Sequence, residues 1–219
     1  MGKYKRNQVQ EAIFRTLGAE GARAGEIRFR LKRLLATDRS LGCRRRSHDK
    51  ADRHYAFYGE EAPGTGADVM YSSYEAFALL AGVALLEHGL PQVMVVKLLR
   101  QVRDELERAY AETLERVPMD LFDQDAIRAH TSVGMLAFDS AQPVILVFLR
   151  LTGSSVDEHN GGTVVSICRN SNELSLLMKR RGSPGTGFSI FEFSRLMHLL
   201  AENLAGTRAV KRGRIVMSS

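Results

Sequence analysis

Arginines and lysines make up most of the residues in this sequence with chemistry to offer. Arg28, Arg30, Lys32 and Arg33 crowd one short stretch, Arg39 follows, and Arg44, Arg45 and Arg46 stand in a row. A guanidinium fork bonds the edge of guanine bidentately, and both arginine and lysine bind phosphate. That chemistry is recognition of a polyanion rather than bond making. Three consecutive arginines add salt-sensitive phosphate affinity without sequence information. Residues 1–55 carry 15 Lys or Arg against 6 Asp or Glu, a net of +9, whereas the remainder carries 16 against 19, a net of −3. A chain whose amino-terminal end meets a polyanion is expected to be asymmetric in this way.

Other reactive side chains lack the spacing their chemistry needs. His48, Asp49, Asp52 and His54 match no standard zinc signature, and Cys43 and Cys168 form no CxxC pair. Two such cysteines read as ordinary thiols of a reducing cytoplasm. The segment Gly64-Thr-Gly66 is not followed by Gly-Lys-Ser/Thr and lacks the strand and helix of a dinucleotide site. Asp157, Glu158 and His159 share a loop, with Cys168 near in sequence, but no Gly-x-Ser-x-Gly, HExxH or spaced carboxylate pair accompanies them. The sequence thus predicts no catalytic residue, no metal and no cofactor. Arg212-Gly-Arg214 lacks the flanking prolines of a minor-groove hook and reads as a plain basic tail. The longest apolar run, Pro143 to Leu149, is strand-sized, and Met1 to Arg6 leads into no apolar segment. The expectation is a cytoplasmic protein with no membrane partner.

The cations need elements to hold them. Val9, Ala12, Ile13 and Leu17 recur at helical spacing after Asn7, and Gly18 to Gly21 read as a turn. A second helix is predicted from Gly25 to Thr37, with Ile27, Leu31, Leu34 and Leu35 as its apolar stripe. Two such helices fit a helix-turn-helix outline, although any amphipathic helix with a basic outer face has the same period. Residues 38–54 read as a loop with at most one helical turn. Tyr55, Phe57, Val69 and Tyr71 alternate as a hairpin would, with a projecting tip from Gly59 to Gly66. Ser72-Ser-Tyr-Glu75 is a capping box opening a helix from Ser73 to His88, which Gly89 stops. Beyond Pro91, Val95, Leu99, Val102, Leu106 and Ala109 repeat at 4-3-4-3 spacing. That seam suits a short dimerising coiled coil, and equally a helix packed inside its own chain.

Composition changes after Pro118. A short helix over 121–130, strands over 135–138, 143–151 and 163–168, and helices over 172–178 and 189–205 describe a small α+β domain. The predicted fold class is α+β, mainly α, with a winged helix-turn-helix domain and stalk over 1–117 and the small domain over 118–219.

The order of basic helix pair, hairpin ending in Val-Met-Tyr71, then Ser-Ser-Tyr-Glu-Ala-Phe-Ala-Leu-Leu80, Leu-Leu-Glu-His-Gly-Leu-Pro-Gln-Val93 and Lys-Leu-Leu-Arg100 resembles MerR-type winged helix-turn-helix regulators. The resemblance covers roughly residues 7–117. It implies a wing, a glycine-hydrophobic break at Gly89-Leu90 and an antiparallel dimerising coil. Ile27-Arg-Phe-Arg-Leu-Lys-Arg33 stands where that family has an arginine-tyrosine-tyrosine run, and the 38–54 connection is longer. Metal-sensing cysteines of some members have no counterpart.

The expected function is therefore a non-enzymatic, dimeric, sequence-specific DNA-binding transcriptional regulator. Arg28, Arg30, Lys32, Arg33, Arg39 and Arg44 to Arg46 would contact DNA, and Val95, Leu99, Val102 and Leu106 would pair the subunits. RNA polymerase or an effector would be a further partner. The rival expectations are an interaction or assembly protein whose basic end binds RNA or an acidic partner, and a small-ligand or catalytic protein with its site in the carboxy-terminal half.

Overall fold

The computed structural model describes residues 2–59, 61–62, 69–131, 136–150, 163–182 and 186–208. Strand β1 (Tyr4–Lys5) leads into α1 (Arg6–Thr16), a turn, the long α2 (Gly21–Leu41) and the single turn α3 (Lys50–Arg53). Strand β2 (Met70–Tyr71) then precedes α4 (Ser73–Glu87), α5 (Gln92–Gln101) and α6 (Arg103–Leu114). The short α7 (Pro118–Phe122) and α8 (Gln124–His130) lead to β3 (Ile145–Arg150), β4 (Thr163–Cys168), α9 (Ser171–Arg181), β5 (Gly187–Glu192) and α10 (Ser194–Gly206). The fold is α+β and mainly helical.

α4 is the centre. Every residue from Tyr74 to Leu85 is buried, so this helix has no solvent face and its neighbours surround it. Its start is fixed by the capping box, in which the Ser72 side chain accepts from the Glu75 amide at 3.1 Å and Glu75 accepts from the Ser72 amide at 2.7 Å. Phe77 stacks on Tyr110 of α6 at 5.1 Å and meets Phe193, before α10, edge-on at 5.7 Å.

The sheet β4-β3-β5 is antiparallel throughout, with β3 in the middle. Alternation along β3 sends Leu146 and Phe148 into the main core. Ile145, Val147 and Leu149 instead build a second core with Cys168 and with Leu174 of α9. The main core extends from Val9 to Leu204, so the expected boundary between 117 and 118 does not separate two cores. α10 lies along α1, where Asn203 donates to the Thr16 hydroxyl at 3.1 Å and Gln8 donates to the Thr207 carbonyl at 3.2 Å.

Four sequence expectations need correction. The hairpin over 55–71 does not form: β2 pairs with β1, and residues 55–58 belong to no strand. Residues 60 and 63–68, which hold the expected tip, lie outside the described residues. The amides of Ala56 and Phe57 donate to the carboxylate of Asp38 at 3.0 and 2.9 Å, which satisfies them without a partner strand. The seam of Val95, Leu99, Val102 and Leu106 does not face out; each is at most 3% exposed within a single chain. The helix that carries it is also interrupted at Val102, between α5 and α6. Residues 136–138 are not a strand, Met135 lying outside the described residues. Finally, 187–192 is strand β5 rather than helix, and α10 begins only at Ser194.

Candidate nucleic-acid interface

α2 is eight residues longer than its predicted 25–37 span, because apolar spacing marks only the part of a helix that meets the core. Ile27, Leu31, Leu34, Leu35 and Asp38 form its buried side. Gly42, at φ 66°, stops it in a conformation that glycine adopts without steric cost, and the Gly42 carbonyl accepts from Arg100 at 2.7 Å.

The solvent-facing side of α2 and its flanks carry the candidate site. Arg28, Lys32, Arg33 and Arg39 are all exposed. Arg28, Lys32 and Arg39 follow at i, i+4 and i+11, a line along the helix spanning roughly 16 Å at 1.5 Å per residue. Two of these arginines are held against rings: Arg28 lies 5.6 Å from the Phe14 ring and Arg33 5.6 Å from the Phe29 ring. Among the described residues, no carboxylate lies within ion-pair distance of Arg28, Lys32, Arg33 or Arg39.

Arg30 is different. It bonds Glu26 at 2.5 Å and pairs with Glu87 of α4 at 3.3 Å, so its charge is neutralised within the fold. Arg23 also pairs with Glu87, at 3.7 Å. The ion-paired cations occupy one flank of α2, and Arg28, Lys32 and Arg39 line the other. Sequence spacing offers the Glu26–Arg30 pair at i, i+4 but not Glu87, which sits on another helix.

Beyond Gly42 the chain turns through the exposed Arg44, Arg45 and Arg46. Arg53 holds this loop in shape by donating to the Ser47 carbonyl at 2.7 Å and the His48 carbonyl at 3.3 Å. Two hollows adjoin it. The wider, of about 650 Å³, is lined by Arg44 to Asp49, and the narrower, of about 290 Å³, by Cys43, Arg45, Arg53, His54 and Gly59. The Cys43 thiol donates to the Arg53 carbonyl at 2.9 Å, and His54 lies 3.7 Å from Asp104. Asp49 caps α3 through the Ala51 amide. His48, Asp49, Asp52 and His54 therefore gather into no metal-binding group among the described residues.

The β1–β2 pairing contributes more than the sequence suggested. It anchors Lys5 opposite Met70 and starts α1 at Arg6. Burial pushes the Tyr58 phenol up, and the positive charges of Arg39 and Arg6 partly offset that rise. The signal missed in the sequence is the pairing of Tyr4 with Tyr71, which two-residue strands do not announce.

Asp157, Glu158 and His159 lie outside the described residues, as do Gly64 to Gly66 and the tail at 209–219. Cys168 is buried in the second core. No helix among the described residues is long and apolar enough to cross a membrane. Compared with known proteins, the sequence matches no family model and no curated protein.

Proposed function

We propose that this chain is a DNA-binding transcriptional regulator that lays the outer face of α2 against duplex DNA. The observation that carries the reading is the line of exposed cations Arg28, Lys32 and Arg39 on one rigid helix, none ion-paired among the described residues, with Arg33 beside it and the exposed Arg44 to Arg46 beyond it. An α-helix fits the major groove, whose walls are phosphate and whose floor is base edges. Arg28 is held in place by the Phe14 ring and so loses less conformational freedom on binding than a free side chain would. The arginine loop beyond Gly42 supplies phosphate contacts at the carboxy-terminal end of the helix. The reading assigns no subunit pairing to Val95, Leu99, Val102 and Leu106, which are buried within their own chain.

The test is titration of the full chain against duplex DNA at graded salt. The expected result is a steep fall of affinity with salt, with Arg28→Ala and Lys32→Ala each lowering the logarithmic slope by about one. Arg30→Ala, whose guanidinium is already bound to Glu26 and Glu87, should leave the slope nearly unchanged. Equal slopes for all three variants would detach binding from this face. A chain that showed no duplex preference, or preferred RNA or an acidic protein, would instead be an assembly protein.

A further inference from the structure

We infer that Phe29 reads a base: with α2 in the major groove, its ring packs against the 5-methyl group of a thymine. This rests on the duplex-binding reading above and names the sequence feature such a surface recognises. Phe29 is 59% exposed and is the only exposed aromatic residue among those described. Phe14, Phe57, Phe77, Phe148 and Phe193 are buried, and Phe122, Phe138, Phe188 and Phe191 are half-buried.

Its surroundings are arranged as a groove requires. Ala22, Gly25, Phe29, Ala36 and Ser40 are exposed and follow at i, i+3, i+7, i+14 and i+18, a single stripe down the outer face. Every member except Phe29 is small, which lets the helix approach a surface closely and leaves one ring projecting. Arg28, Lys32 and Arg39 run along one side of that stripe, and Arg33 stands on the other. Positive charge on both flanks with an apolar centre complements a groove with phosphate walls and a floor where thymine offers a methyl group. The Arg33 guanidinium lies 5.6 Å from the ring centre, a cation–π contact that favours one orientation of Phe29.

The experiment selects bound duplexes from a pool with a randomised core. Each thymine of the enriched site is then replaced in turn by deoxyuridine, which removes the methyl group and leaves pairing and phosphates intact. The expected result is one position, or one in each half of a repeated site, where deoxyuridine weakens binding on the order of fourfold. Phe29→Ala should bind the two duplexes equally while keeping the salt dependence of the wild type. Because the ring is exposed, that variant should unfold at the same urea concentration as the parent, which separates loss of reading from loss of fold. Binding that is indifferent to deoxyuridine at every position, or discrimination that survives in Phe29→Ala, would overturn the assignment while leaving duplex binding intact. Preference for single strands or RNA, abolished by Phe29→Ala, would make the ring a stacking platform and overturn it too. Absence of duplex binding altogether would remove the reading beneath it.

Discussion

Asp38 and Arg100 form an ion pair of 2.7 Å whose side chains are 0% and 1% exposed, one on α2 and the other on α5. The carboxylate also accepts from the Ala56 and Phe57 amides, and the guanidinium also donates to the carbonyls of Asp38, Gly42 and Ala51. The pair thereby fastens the segment between α2 and α4 to the helices on either side. Arg103 repeats the device nearby, donating to the Tyr55 and Ala56 carbonyls at 2.6 and 3.1 Å. Asp38→Ala would leave a guanidinium buried without its counter-charge and two amides unbonded. It should cost about 3–5 kcal/mol, as should Arg100→Met. The double variant should lose less than the two single losses together, because no uncompensated charge remains. Urea unfolding of the four proteins measures this; strict additivity would mean the two groups do not interact.

Leu99 is 1% exposed within one chain, as a core residue is. Leu99→Ala should therefore destabilise the protein by about 2–5 kcal/mol and leave its mass by light scattering unchanged. A seam between subunits would give the opposite pattern, a smaller particle with the fold of each chain retained.

The contrast between α4 and the expected hairpin shows where the sequence was legible. α4 announces itself locally: Ser72 and Glu75 cap it, Gly89 stops it, and apolar residues fill the interval. The segment around Phe57 alternates as a strand does, but the group satisfying its amides is Asp38, on a different element and invisible to local patterning. Leu99 and Leu106 were recognisable as a seam, whereas the side of the molecule that fills it depends on the whole fold. β5 reads as helix in the sequence because Ile190, Phe193, Met197 and Leu200 sit at near-helical spacing that crosses the strand-to-helix junction at Phe193. For the candidate site, the residue types and the carrying helix were legible. The pairing of Arg30 with Glu87 required the tertiary structure.

Cys43 and Cys168 should differ sharply in reactivity. Cys43 is half-buried beside Arg45, Arg53 and His54, whereas Cys168 is 3% exposed in the second core. Burial, with a smaller contribution from Glu173, pushes the Cys168 thiol up to about 11. At pH 8 roughly one molecule in a thousand would carry that thiolate, and the thiolate is the nucleophile. Labelling with an aromatic disulfide reagent should titrate one thiol in the native protein and a second only after urea is added. Cys43→Ser should abolish the first phase; two fast thiols in the native state would show that the second core opens.

Glu192 sets a pH dependence whose sign follows from its burial. Desolvation raises its carboxyl above the ordinary glutamate range, outweighing the bonds from Ser194, whose amide donates to it at 2.8 Å. The folded protein therefore holds this proton to a higher pH than the unfolded chain does. Between the unfolded value and the folded one the native state binds more protons, so stability falls as pH rises through that window. Glu75 shifts in the same direction, again mainly by burial, and Arg103 at 3.9 Å only partly offsets it. Glu192→Gln keeps an oxygen for the Ser194 amide but cannot ionise. Its urea midpoint should decline less than the wild type's between pH 4.5 and 7, and the Glu75→Gln, Glu192→Gln double variant should decline less again. Parallel profiles for all three proteins would mean that both carboxyls titrate alike in the folded and unfolded states, contrary to the burial of each.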